Sequence, residues 1–224
     1  RLLDARVLII GLGGLGSSAA LYLSASGVGQ LTLCDHDTVE LSNLQRQIIH
    51  RTSTVGQSKV ASAQTVLHDI NPEVICIVLA IRADAAQLGE LVAGADVVLD
   101  CSDNFATRYA VNRACLTQRK PLVSGAAIKF DGQVAVLDLR RSEAPCYNCL
   151  FPEDSVSAEL RCATTGVFSP LVGIIGTLQA AEAIKLLVGI ESGLSGKLFT
   201  LNALDMHTLR STLSKDPACR ACGS

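Results

Sequence analysis

The sequence predicts an α/β fold with a mostly parallel sheet, and three observations lead to that prediction. Short apolar segments alternate with segments of helical length over residues 6–124. A glycine-rich turn, Gly11–Gly16, joins the first apolar segment to the first helical one. After about residue 130, polar and apolar residues alternate as in antiparallel strands. Strands and helices that alternate in this way form a parallel sheet covered by helices on both faces.

The first half of the chain alternates strands and helices. Arg6–Ile10 is an apolar run stopped by Gly11, which predicts a buried strand, and the Ala- and Leu-rich Leu15–Ser26 predicts a helix. Asn71 and Pro72 end another helix, because the residue before proline disfavours helical geometry. The other predicted strands are Gln30–Asp35, Val74–Leu79, Asp96–Asp100 and Pro121–Ser124, and the other helices are Gly56–Ile70, Asp84–Ala93 and Phe105–Gln118.

The second half has a different pattern. Gln133–Leu139 alternates like an antiparallel strand, and Arg140–Thr165 is polar and loop-like. Pro170–Gly189 predicts a long helix, with proline near its start and glycine at its end. Lys197–Asn202 and Thr208–Leu213 predict two late strands. We expect this half to extend the first sheet rather than to form a free second domain.

Composition narrows the classes of function. Apolar residues make up 49% of the chain, enough for a large core, so the long uncharged stretches Val7–Cys34 and Cys162–Ala181 are predicted to be buried rather than membrane-spanning. A net charge of −2 and few aromatic residues disfavour a nucleic-acid or anionic-lipid surface. Nine cysteines, an odd number with several in predicted strands, disfavour a secreted disulfide scaffold. A reducing, cytoplasmic location is therefore expected.

The glycine turn predicts a phosphate-binding site. Gly11, Gly13, Gly14 and Gly16 form a Gly-x-Gly-x-x-Gly motif that follows a strand and opens a helix. Glycines let the backbone approach phosphates, and the helix N-terminus supplies N–H groups and positive potential. Asp35 ends the second strand about 20 residues on, where a carboxylate binds a ribose in Rossmann-like folds. The motif alone leaves three alternatives open, namely a dinucleotide, ATP, or a tight turn without a ligand.

Three charged residues favour ATP and an adenylation reaction. When a carboxylate attacks the α-phosphate, negative charge develops on the phosphorus and on the leaving pyrophosphate. Arg46 offers a fork of donors, Lys59 a mobile point charge, and Asp103 oxygen ligands for Mg²⁺. The alternative interpretation is that Arg46 and Lys59 are solvated surface charges and that Asp103 caps the helix beginning near Phe105.

Two Cys-x-x-Cys pairs predict a metal site. Cys146 and Cys149 form one pair, and Cys219 and Cys222 form the other. Four thiolates suit a closed, tetrahedral, structural Zn²⁺ site. The alternative is a disulfide or redox pair, although neither pair lies in a thioredoxin-like βαβ context.

Several segments together resemble the ubiquitin-activating-like adenylyltransferases of sulfur-carrier pathways. They are Gly11–Gly16, Asp35–Val39, Ser42–Gln47, Asp100–Asn104 and both cysteine pairs, and the resemblance covers nearly the whole chain. It implies that the ATP contacts include Gly14, Asp35, Ser42, Asn43, Leu44, Gln45, Arg46, Lys59, Asp103 and Asn104, with Asp103 as the Mg²⁺-linked acid. The most similar branch belongs to molybdenum-cofactor biosynthesis, with the thiamine-pathway branch second.

The resemblance implies a function and a set of partners. The expected reaction is ATP-dependent adenylation of the C-terminal glycine carboxylate of a ubiquitin-like sulfur-carrier protein of the molybdopterin-synthase small-subunit type. The alternatives are a thiamine-pathway enzyme with Cys162 in sulfur transfer, an NAD-dependent oxidoreductase, and a non-catalytic scaffold. Residues 1–130 would bind the nucleotide, and residues 131–224 would bind the carrier and the zinc within one domain. A separate sulfur-donor protein and a homodimer are also expected.

Overall fold

The computed structural model describes residues 1–155 and 166–223 of the chain. Its strands form one eight-stranded sheet in the order β3-β2-β1-β4-β5-β6-β7-β8. The strands are β1 (Arg6–Ile10), β2 (Gln30–Cys34), β3 (Ile75–Leu79), β4 (Val97–Asp100), β5 (Pro121–Ile128), β6 (Asp131–Asp138), β7 (Lys197–Asn202) and β8 (His207–Thr212). The pairs among β1 to β5 are parallel, and the pairs from β5 to β8 are antiparallel. The predicted mostly parallel sheet with an antiparallel C-terminal extension is confirmed.

Helices cover both faces of this sheet. They are α1 (Gly14–Ala25), α2 (Lys59–Ile70), α3 (Ala85–Ala93), α4 (Phe105–Gln118), the single turn α5 (Tyr147–Leu150) and the long α6 (Ser169–Val188). Alternate residues of β1 enter two different cores, with Val7 and Ile9 facing α1, α2 and α6, and Leu8 and Ile10 facing α3 and α4. Because both faces of β1 are covered, the strand has the continuous apolar sequence from which it was predicted.

Some boundaries differ from those predicted. The helix expected from Gly56 begins at Lys59, because the Ser58 side chain accepts a hydrogen bond from the backbone N–H of Ala61 and caps the helix. Strand β5 continues to Ile128, where it turns directly into β6. Within residues 1–155 and 166–223, the short helix α5 and three 3₁₀ turns lie in segments that the sequence pattern left as loops.

Helix α6 is long and apolar enough to cross a membrane when judged by length and composition alone. In this fold it packs against α1 and against β4, β5 and β6. Its buried apolar residues, which include Leu171 and Ile175, belong to the same core as Val7 and Ile9 of β1. The described part of the uncharged stretch 162–181 therefore lies against the sheet, as the sequence predicts.

The carboxyl ends of β1, β2 and β4 meet at one edge of the sheet. Strand β1 lies between β2 and β4, and Ile10 is in register with both Cys34 and Asp100. The chain leaves β1 toward α1 on one face and leaves β4 toward α4 on the other. Such a reversal of strand order is where ligands bind in open α/β sheets.

Candidate active site

The turn from β1 into α1 requires glycine at two positions for different reasons. Gly11 has a φ of +93°, which side chains with a Cβ rarely adopt. At Gly16 a Cβ would lie 1.9 Å from the carbonyl oxygen of Gly11. The turn therefore folds back tightly on itself, and Gly13 becomes the N-cap of α1. This is the strand, turn and helix geometry that the sequence motif predicts.

Asp35 follows β2 and supports the same turn. One of its carboxylate oxygens accepts a hydrogen bond from the Leu12 backbone N–H at 2.6 Å. The other accepts one from the Asp37 N–H at 2.8 Å. Asp35 is 8% exposed and lies in the lining of the cavity described below. The carboxylate is thus held by the backbone while part of it remains open to a ligand.

Lys59 begins α2 and forms an ion pair with Asp37. Its Nζ lies 2.8 Å from Asp37 Oδ2, and its side chain is 7% exposed. Burial acts to raise the pKa of Asp37, but the hydrogen bond and the positive charge of Lys59 outweigh it, so the pKa is lowered. Lys59 therefore carries a positive charge at the cavity wall, partly balanced by one carboxylate.

Arg46 enters the cavity from the segment after β2. This segment begins with a 3₁₀ turn over Leu41–Asn43, and the Asn43 carbonyl accepts hydrogen bonds from the backbone N–H groups of Arg46 and Gln47. Arg46 Nη1 lies 3.4 Å from the Ser42 carbonyl oxygen, and Arg46 itself is partly exposed. The turn fixes the backbone beneath Arg46 and leaves most of its guanidinium donors available.

Asp103 lies in the loop between β4 and α4. Asn104, not Asp103, caps α4, because its side-chain oxygen accepts a hydrogen bond from the Thr107 N–H at 2.9 Å. Asp103 is exposed. Behind it, buried Asp100 accepts hydrogen bonds from the Ser102 N–H and hydroxyl. The loop is therefore fixed by Asp100 and Asn104, and the exposed Asp103 carboxylate has Asn104 Nδ2 at 3.5 Å from its Oδ1.

One cavity of about 1150 Å³ collects most of the predicted site. Its lining includes Gly11, Gly13, Gly14, Asp35, Arg46, Lys59, Asp103 and Asn104. Gly16 supports the turn from within, and the predicted contacts Ser42, Asn43, Leu44 and Gln45 lie outside the lining. The cavity also extends across the ends of β5, β6 and β7 and the start of β8. That second arm is lined by Ala126–Ile128, Asp131–Gln133, Thr200–Asn202 and His207.

The two cysteine pairs meet beside α4. Cys146 Sγ lies 3.9 Å from Cys149 Sγ and 3.7 Å from Cys219 Sγ, and Cys149 Sγ lies 3.4 Å from Cys222 Sγ. All four sulfur atoms lie within 4.8 Å of one another. Zinc–thiolate bonds of about 2.3 Å in a tetrahedron give sulfur separations of about 3.8 Å, so these residues fit a structural Zn²⁺.

Polar groups around the cysteines fit the same interpretation. The Asn148 amide donates to Cys219 Sγ at 3.4 Å, and the Asp216 N–H donates to Cys149 Sγ at 3.4 Å. Burial acts to raise the pKa of Cys219, but hydrogen bonds led by that of Asn148 lower it to about 6, whereas burial raises the pKa of Cys146 and of Cys222. Donors to a sulfur favour its thiolate form, which is the form that binds a metal.

Comparison with known proteins identifies the family. The chain matches the ThiF family over residues 1–221. It belongs to the ThiF family. Among relatives, the molybdopterin-synthase adenylyltransferase of Salmonella typhimurium is 48% identical over 98% of this chain and 88% of its own length. The sulfur carrier protein ThiS adenylyltransferase of Escherichia coli is 46% identical over 100% of this chain and 88% of its own length.

A solved structure agrees with the fold of this ThiF-family chain. The crystal structure of E. coli MccB with ATP superimposes with a TM-score of 0.85 at 24% identity. The match covers 99% of this chain and 68% of MccB. At this identity the similarity shows the shared fold, and the predicted Rossmann-like α/β class is confirmed.

The structure also brings residues to the ThiF-family site that the sequence analysis did not single out. Gln47 and Arg108 line the cavity, and Arg108 donates to the Ser102 carbonyl at 2.7 Å. Buried His50 lies behind the glycine turn. Gln47 directly follows Arg46 in the quoted motif, and Arg108 lies one helical turn after Asn104. Both could therefore have been predicted as site residues from their position next to residues already assigned to the site. Cys162, which the sequence analysis considered for sulfur transfer, lies outside the described residues.

Proposed function

We propose that this protein uses ATP to adenylate the C-terminal glycine carboxylate of a ubiquitin-like sulfur-carrier protein of the molybdopterin-synthase small-subunit type. One observation carries the proposal. The glycine turn, Arg46, Lys59 and Asp103 line a single cavity, and that cavity continues into a second arm over β5, β6 and β7. The names of the relatives, which are adenylyltransferases of sulfur-carrier pathways, support the same reaction.

The part of the cavity beside the glycine turn has the groups that an adenylation reaction needs. ATP would place its phosphates at the N-terminus of α1 and its ribose beside Asp35. A carboxylate oxygen of the carrier forms a bond to the α-phosphorus. The bond from that phosphorus to the oxygen that joins it to the β-phosphorus breaks, and pyrophosphate is released. Arg46 and Lys59 would stabilise the charge on the phosphates. Asp103 would hold Mg²⁺, which neutralises phosphate charge when bound, and Asn104 beside it would contact the nucleotide.

The second arm suits an extended peptide. It runs beside the antiparallel strands and is partly lined by small residues, Ala126, Ala127 and Gly132. Exposed apolar side chains border it, with Phe130 at the β5–β6 turn and Leu204 and Met206 at the β7–β8 turn. Exposed apolar groups beside a cleft are typical of a protein-docking surface. We infer that the carrier's globular part docks there and that its glycine tail enters the arm.

The remaining expectations belong to the same proposal. Residues 1–130 would supply the nucleotide half of one domain, and residues 131–224 the carrier and zinc half. Zn²⁺ on the four cysteines would be structural, because a closed Cys₄ set leaves no position for a substrate. A homodimer, a separate sulfur-donor protein and a cytoplasmic location complete the proposal.

Pyrophosphate exchange tests the reaction. The Asp103→Asn variant should lose about 100-fold or more of carrier-dependent ATP–pyrophosphate exchange, because the acid that organises the phosphate charge is gone. Asp69→Asn, which removes one carboxylate from the exposed end of α2, is the matched control and should retain wild-type exchange. Exchange that survives in Asp103→Asn would refute the proposed site.

A second experiment separates the carriers and the alternative functions. The protein is incubated with ATP and with each candidate carrier in turn, and the carriers are weighed for an added AMP. We expect the adduct on the molybdopterin-synthase small subunit. An adduct confined to the thiamine-pathway carrier would favour that branch, and tight NADH binding without ATP binding would favour an oxidoreductase.

A further inference from the structure

His50 is a buried residue whose ring joins the glycine turn to α2. Its Nε2 lies 3.1 Å from the carbonyl oxygen of Leu12, and its Nδ1 lies 3.0 Å from Ser62 Oγ. Both Leu12 and Ser62 are fully buried, and His50 is 4% exposed. The ring contacts the turn and does not line the ligand cavity.

The Leu12 carbonyl fixes which ring nitrogen carries a proton. A carbonyl oxygen only accepts hydrogen bonds, so Nε2 must donate. In the neutral ring Nδ1 then accepts from the Ser62 hydroxyl. Ser62 Oγ also lies 2.9 Å from Thr54 Oγ1. Ser62 has one hydroxyl hydrogen, so when it donates to Nδ1 it accepts from the Thr54 hydroxyl, which then no longer donates to the Arg51 carbonyl. Burial lowers the pKa of His50, which favours the neutral ring.

The hydrogen bond from His50 fixes the orientation of the peptide between Leu12 and Gly13. A trans peptide is planar, and its C=O and N–H point in opposite directions. With the Leu12 carbonyl directed at His50, the N–H of Gly13 in the same peptide must point away from His50. The Leu12 N–H is itself fixed by Asp35 at 2.6 Å. Because glycine allows this peptide to rotate easily, contacts outside the turn are needed to select one orientation.

We propose that His50 is a positioning residue, which holds the Leu12–Gly13 peptide through Nε2–H so that the Gly13 N–H is presented to a phosphate of ATP. The inference rests on the proposed function, because it assumes that a phosphate binds at the turn. His50 makes no contact with the nucleotide. Its effect is to remove the alternative orientation of one peptide before ATP binds, which lowers the cost of binding.

The test compares three variants of this chain. His50→Leu fills the buried site with an apolar side chain and has no hydrogen-bond donor. The dissociation constant and the KM for ATP should therefore rise about tenfold, with kcat at saturating ATP changed less. His50→Gln retains an amide donor near the position of Nε2 and should restore most of the affinity. The control is Ser24→Ala, which removes a buried bond from Ser24 Oγ to the Leu67 carbonyl, away from the cavity. It should bind ATP like the wild type.

Other outcomes would overturn the inference. Equal ATP affinity in His50→Leu, His50→Gln and the wild type would do so, and so would a ¹⁵N NMR spectrum showing the Nδ1–H tautomer of His50. Should His50→Leu not fold, His50→Asn replaces it, because its shorter amide cannot reach the Leu12 carbonyl. A wild-type protein that does not bind ATP would instead refute the proposed function.

Discussion

At the scale of single residues, the site depends on charges and donors that are held by buried neighbours. His50 shows how several effects combine on one group. Burial is the largest and lowers the pKa, the hydrogen bond to the Leu12 carbonyl and the charge of Asp35 act to raise it, and the cations Lys59 and Arg51 act to lower it. The net result is a pKa below the usual value of 6.5.

The lowered pKa of His50 predicts a pH dependence of folding. The unfolded chain binds a proton on this residue near pH 6.5, whereas the folded chain binds it only at lower pH. The stabilisation is therefore complete above pH 6.5 and is lost as the pH falls through the folded pKa. We expect the free energy of unfolding, measured with urea from pH 7.5 to 5.0, to fall by at most about 1.4 kcal/mol per pH unit from this group.

The His50→Gln variant is the matched comparison for that prediction, because glutamine does not titrate. Its free energy of unfolding should change less between pH 7.5 and 5.0 than that of the wild type. Identical slopes in the two proteins would show that His50 has the same pKa in the folded and unfolded states.

At the scale of elements, α6 stabilises the edge of the sheet on which the site is built. Its buried Gln179 donates from Nε2 to the Asp100 carbonyl at 2.9 Å and to the Val123 carbonyl at 3.0 Å. The first carbonyl ends β4, directly before the loop that carries Asp103, and the second lies within the adjacent strand β5. The helix therefore does more than cover the sheet, because it links the carboxyl end of β4 to the neighbouring part of the parallel strand β5.

Replacing Gln179 should lower the free energy of unfolding more than a change of side-chain volume alone would. Gln179→Met keeps the length of the side chain but removes both donors, leaving buried carbonyls with fewer partners, so the free energy of unfolding should drop by about 2–4 kcal/mol. Leu178→Met on the same helix is a volume-conserving control, which should cost less than about 1.5 kcal/mol. Urea denaturation measures both, and equal losses would show that the Gln179 hydrogen bonds contribute little.

At the scale of the whole molecule, α4 connects the part of the cavity beside the glycine turn to the cysteine cluster. Asn104, at its N-terminus, stands beside Asp103. Further along, Asn112 accepts a hydrogen bond from the Tyr147 N–H at 2.9 Å, and the Tyr109 hydroxyl donates to the Phe151 carbonyl at 3.0 Å. Because Tyr147 directly follows Cys146, the cluster that holds the C-terminal tail is packed on the helix that holds the acidic loop.

Loss of one of the four clustered cysteines should release the tail. Cys219→Ser should lower the zinc content from about one ion per chain toward zero and expose residues 213–222 to proteolysis, because a structural site of four thiolates binds poorly with three. Cys76→Ser, at a half-buried cysteine in β3, is the control and should keep its zinc. Elemental analysis and limited proteolysis measure the two effects. Full zinc content in Cys219→Ser would show that Cys219 is not a ligand.

The sequence by itself determined the features that depend on neighbouring residues. Strand and helix order follow from local periodicity, the glycine turn follows from the motif after β1, and each cysteine pair follows from its own spacing. Even the shared edge of Gly11, Asp35 and Asp103 could be predicted, because the carboxyl ends of parallel strands lie together.

Tertiary structure alone decided the features that join residues distant in the chain. The local sequence pattern does not predict that His50 contacts the Leu12 carbonyl or that Asn104 rather than Asp103 caps α4. It also does not predict that Cys146 Sγ lies 3.7 Å from Cys219 Sγ. The physical reason is that these contacts are selected by packing between elements. Packing depends on the volumes and hydrogen bonds of many side chains together, and no short segment contains that information.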